Sequence, residues 1–66
     1  MFNSLNCKIA DRIIDTLSGT GPEGRARKVV TRYRKNPNDA DAAEAVELLN
    51  ALDQNKLVEL KQAARV

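Results

Sequence analysis

The sequence has no histidine and no tryptophan, and only one tyrosine, one phenylalanine and one cysteine. Without histidine, the usual zinc ligand sets and the Cys–His pairs of nucleophilic catalysis are unavailable. The lone Cys7 excludes an internal disulfide framework, and an unpaired thiol fits a reducing compartment, so a cytoplasmic protein is expected. No apolar run approaches the roughly 18 residues of a membrane span, and no basic segment followed by an apolar run opens the chain. Neither a membrane partner nor a signal peptide is therefore expected. Chain breakers are few and gathered in two places, Gly19-Thr20-Gly21-Pro22 and Asn36-Pro37-Asn38-Asp39. Nothing alternates with period two for long enough to make a strand, and no repeat or low-complexity tract is present.

What remains is 66 residues, 42% apolar and 30% charged. That composition is ordinary for a globular chain, and the length allows one small core. Apolar residues recur every three to four positions. The expectation is an all-α domain over 1–66, a small bundle of three to four short helices, with dimerisation available to complete a thin core. The first helix is expected over about 4–17 on the stripe Leu5, Ile9, Ile13 and Leu17, capped by Asn3 or Ser4 and ended by a left-handed Gly19. Cys7 falls at the edge of that stripe, half-buried. The second, over about 22–35, starts from a capping box of Thr20 and Glu23 and buries Ala26, Val29, Val30 and Tyr33. The third runs over about 39–51, with Asn38 or Asp39 as its cap. A break at Asp53, with Leu52 and Leu57 as a hydrophobic staple, starts a fourth over about 54–64. The alternative is one helix from 39 to 64, which would carry Asp53 and Lys56 in its apolar stripe. Ile9, Ile13, Val30, Leu49 and Leu60 are expected at the centre of the core, with Phe2 over one end.

The net charge of +2 is small, but its distribution is uneven. Residues 25–35 carry Arg25, Arg27, Lys28, Arg32, Arg34 and Lys35 with no acid. The residues before them sum to −1 and those after to −3. On a helix the six bases fill the arc opposite the apolar face. Four are arginine, which suits bidentate phosphate contact. These six are the candidate nucleic-acid-binding residues, with the row Arg25, Lys28, Arg32 and Lys35 facing the ligand. Two other readings compete. In one, the bases are a solvated face partly neutralised by the acids of the third helix. In the other, they meet an acidic protein surface, with Leu48 and Val58, left outside the main stripes, as the protein interface. A helix-turn-helix fits less well. Its base-contacting positions would fall on Glu23, Gly24, Arg25 and Lys28, and no Asn or Gln pattern for reading bases appears. Gly24 would there permit close approach of a partner.

Asp39, Asp41, Glu44 and Glu47 complement the positive end of a helix dipole, and lack the later ligands of a calcium loop. The glycines at 19–24 lack the Lys-Ser/Thr ending of a phosphate loop. No metal site, cofactor or catalytic residue is expected. The reading is a small non-enzymatic regulatory protein that binds nucleic acid or another polyanion through residues 25–35, as a homodimer. The alternative is a protein-interaction module: a small adaptor, inhibitor or assembly subunit.

Overall fold

The computed structural model describes residues 2–65. Among them the chain forms four α-helices and no strand: α1 (Cys7–Ile13), α2 (Gly21–Lys35), α3 (Asp39–Asn50) and α4 (Gln54–Arg65). A single 3-10 turn, Ile14–Thr16, continues α1. The three-residue connector between α2 and α3 makes them antiparallel neighbours, so that Arg32 meets Asp41 at one end and Arg25 stands near Leu48 at the other. α1 packs against both α2 and α4. Ala10, Ile13, Ala26, Val30, Ala45, Leu49 and Leu60 are wholly buried, so every helix contributes to one core. Ile9, expected there, is only partly buried at the core's edge.

The first helix is shorter than its apolar spacing predicts. It starts at Cys7, three residues later, because the Asn6 side chain accepts from Ile9 N at 2.8 Å and caps it there. Cys7 is exposed rather than half-buried. The preceding segment is held open from far along the chain. Phe2 N donates to Asn50 Oδ1 at 2.8 Å, and Asn50 Nδ2 donates to Phe2 O at 2.9 Å. This clasp lets Phe2 and Leu5 bury their side chains from non-helical backbone. At the other end α1 tightens into the 3-10 turn, and Leu17 turns extended while still reaching the core. Leu5 and Leu17 thus bury as the stripe requires, but from outside the helix.

The turn into α2 also departs from expectation. The residue at positive φ is Gly21, at 65°, not Gly19. Thr20 occupies the N-cap without a side-chain bond. Glu23 does not return to Thr20 but accepts from Ser18 N at 3.0 Å, and Lys56 Nζ of α4 stands 3.3 Å from the same carboxylate. Backbone donation from Ser18 and the nearby Lys56 hold the Glu23 carboxyl below its ordinary range. The break at Asp53 forms as the two-helix reading requires. Asp53 Oδ1 accepts from Lys56 N at 2.9 Å, and Leu52 and Leu57 are both buried.

Gly24 is needed for packing inside the molecule, not for a partner's approach. A Cβ on Gly24 would stand 2.7 Å from the Gly19 carbonyl oxygen and 2.8 Å from its carbon. Alanine improves helix propensity by about 1 kcal/mol, but displacing a packed backbone costs about 1–3 kcal/mol. Gly24→Ala is expected to destabilise the protein on balance. A urea-melt midpoint that rises instead would show that the Ser18–Thr20 loop yields.

Candidate nucleic-acid interface

α2 presents four apolar residues to the core, and its six bases fill the remaining arc. The structure divides those six into two groups. Arg27 is half-buried and donates from Nη1 to the Leu17 carbonyl at 2.8 Å, satisfying the backbone where the chain leaves the 3-10 turn. Arg34 donates from Nε to Asp11 Oδ1 of α1 at 2.7 Å. Arg32 donates from Nε and Nη2 to Asp41 Oδ1 at 3.1 and 2.9 Å, and from Nη2 to Glu44 Oε1 at 3.1 Å. The Arg32 bonds hold the Asp41 carboxyl below its ordinary range, with Asn38 Nδ2 assisting, and raise Arg32 in turn. Arg25, Lys28 and Lys35 are exposed and make no hydrogen bond or ion pair among the described residues.

The row Arg25, Lys28, Arg32, Lys35 is therefore interrupted. Arg32 is still 54% exposed, but its guanidinium is drawn toward α3. The three unengaged bases lie three and seven residues apart, a rise of about 15 Å from first to last along the helix axis. Tyr33, beneath them, is buried and donates to the Leu5 carbonyl at 3.4 Å, which leaves no aromatic ring on this face. Of the four positions that would contact bases in a helix-turn-helix, Arg25 and Lys28 are exposed but Glu23 and Gly24 are engaged inside the molecule. Glu23 is tied to Ser18 and Lys56, and the Gly19 backbone lies over Gly24. α3 carries four acids and no base, so negative charge gathers beyond the Arg32 flank of α2.

Leu48 and Val58 do not share a surface. Leu48 is half-buried and lines an open cleft of about 420 Å³ with Gly21, Pro22, Arg25 and Ala51. Val58 is 48% exposed on α4, in a shallow groove with Lys61, Gln62 and Arg65. Among the described residues no group of three or more Cys, Asp or Glu side chains is arranged to hold a metal ion, and no helix is long and apolar enough to cross a membrane.

Other cations lie outside the block 25–35. Lys8 and Arg12 on α1, and Lys61 and Arg65 on α4, lie in segments of net negative charge. Each pair nevertheless has the four-residue spacing that places both members on one helix face. That spacing was the available signal. Comparison of the chain with protein-family models, with curated proteins and with solved structures gives no match.

Proposed function

We propose that the protein is a small non-enzymatic regulatory protein that binds the phosphate backbone of nucleic acid through the outer face of α2. The observation that supports this is the trio Arg25, Lys28 and Lys35, exposed and without a counter-ion among the described residues, on a molecule whose α3 carries acids and no base. Uncompensated bases at helical spacing attract closely spaced phosphates. α2 carries no Asn or Gln to read adenine, and its exposed Arg and Lys at helical spacing suit a run of phosphates, so the contact is expected to position the protein without selecting sequence. Exposed Cys7 fits the reducing conditions of the cytoplasm, where such a ligand is available. A homodimer would double the phosphates engaged, and sedimentation showing only a 7.3 kDa species at all concentrations removes that part of the reading.

The test is a fluorescence titration with duplex DNA and single-stranded RNA across a salt series. Three phosphate contacts imply a log–log slope of at least about −2.7 on duplex, or about 40-fold weaker binding at 200 than at 50 mM salt. Absence of binding to every nucleic acid at low salt removes the reading.

A second reading rests on the cleft beside α2, where Leu48, Ala51 and Pro22 stand next to Arg25. An aliphatic side chain flanked by a carboxylate fits that combination, as in a protein-interaction module whose basic helix meets an acidic surface. A pull-down with and without nuclease separates the two: binding lost after nuclease favours nucleic acid, and one partner retained favours the module.

A further inference from the structure

The cations of α1 and α4 come together across the seam between these helices. Arg12 donates from Nη1 to the Ala64 carbonyl at 3.2 Å, which fixes its guanidinium over the last turn of α4. A carbonyl partner leaves the positive charge uncancelled. Lys8 precedes Arg12 by one turn on the same face of α1. Ile9, between them in sequence, lines a groove with Lys61, Ala64 and Arg65. Lys61 and Arg65 line this groove, Arg12 reaches across the seam to Ala64, and Lys8 lies one turn along α1; among the described residues no acid lines the groove. Two acids share the exposed face of α1: Asp11 is neutralised by Arg34 at its α2 edge, and Asp15 follows Arg12 in the 3-10 turn.

This seam adjoins the α2 face. On the side of α1 toward α2, Cys7 and Asp11 line a groove with Thr31, Arg34 and Lys35. On its other side Ile9 meets α4. The exposed face of α1 therefore lies between Lys35 of α2 and Lys61 and Arg65 of α4, with the Asp11–Arg34 pair at its α2 edge, while the acids of α3 lie across α2 from it. The molecule's longest dimension is 28 Å. At about 3.4 Å per phosphate along one strand, that length faces roughly eight phosphates.

We infer that the α1–α4 seam is a second phosphate-contact strip, continuous with the α2 face, so that one nucleic-acid segment is held by both. This rests on the nucleic-acid reading of α2 and adds three cations, Lys8, Arg12 and Arg65, to its three. The ligand chemistry is a run of closely spaced phosphates, in a single strand or a duplex. Six contacts imply a slope of about −5.4 on duplex and about −4.2 on a single strand, against about −2.7 and −2.1 for α2 alone.

The experiment compares three proteins on duplex DNA and on single-stranded RNA: the unaltered chain, Lys8→Ala/Arg65→Ala, and Lys28→Ala/Lys35→Ala. All four replaced side chains are exposed, and equal thermal melts confirm that the variants fold alike. The expected result is a steep slope for the unaltered chain that falls in each variant by about 1.8 units on duplex and about 1.4 on a single strand. A slope that stays at the value for α2 alone, untouched by Lys8→Ala/Arg65→Ala but lowered by Lys28→Ala/Lys35→Ala, overturns the second strip and leaves the first standing. Sensitivity confined to Lys8→Ala/Arg65→Ala overturns the shared contact and the α2 reading together. So does an unaltered chain that binds nothing.

Discussion

Ile13→Ala is expected to destabilise the protein by about 2–5 kcal/mol, the range for cutting a buried isoleucine back to its Cβ. Ile13 is wholly inaccessible, at the end of a helix that packs against both α2 and α4. The cavity would open where three helices meet, so collapse of one neighbour cannot fill it without moving the others. In a domain this small the loss is comparable to the whole margin of stability, and the melting temperature should fall by roughly 8 °C or more. Ile9→Ala, four residues earlier and only partly buried, is the internal control and should cost clearly less. A loss below about 0.5 kcal/mol for Ile13→Ala, measured by urea melting, would place α1 at the periphery.

Replacing Arg25, Lys28 and Lys35 together with alanine should weaken duplex binding about 500-fold at 0.1 M salt, the counter-ion release of three phosphate contacts. The loss should be similar for unrelated sequences, because phosphates carry none. The melting temperature should hardly move, since these side chains are exposed and have no partner in the described structure. Arg32→Ala should behave differently. Its guanidinium already faces Asp41 and Glu44, so its removal should change the salt slope less than removal of Lys28. In a double-mutant cycle with Asp41→Asn it should show coupling in stability. If Arg32→Ala costs more affinity than the triple replacement, the site lies at the α2–α3 border and not on the outer face.

The parts of this fold that were legible in the sequence are those that local chemistry determines. Pro22 inside a first turn, Asn36 before Pro37, and Asp53 between Leu52 and Leu57 each restrict the backbone within a few residues, and α2, α3 and α4 begin and end near them. The ends of α1 depend on distant groups. Leu5 and Leu17 have helical spacing, but Leu5 is placed with the help of the Asn50 amide, which holds Phe2 from 48 positions away. Ser4 and Asn6 are equally good caps in isolation, and the Asn6 cap goes with the clasp and with burial of Phe2 and Leu5 from non-helical backbone. The basic block was equally plain. Its division was not, because Asp11, Asp41, Glu44 and the Leu17 carbonyl reach it only after the helices pack. The α1–α4 seam was half legible: each pair of bases has the right spacing, but Arg12 meets Ala64 across 52 positions.

The Phe2–Asn50 clasp sets an order of assembly. α2 and α3 are consecutive, joined by three residues, and hairpins of this kind close within microseconds because little chain entropy is lost in bringing them together. The clasp and the Arg12–Ala64 contact instead close loops of 48 and 52 residues, and gain their enthalpy only once the rest of the chain is in place. The N-terminal segment and α1 should therefore dock last on folding and detach first in partial opening, as a unit less stable than the α2–α3 pair. Native-state hydrogen exchange should show it: amides of α1 such as Ala10 exchanging by a lower-energy opening than those of Val30 and Leu49. Equal protection throughout would mean that the whole molecule opens as one.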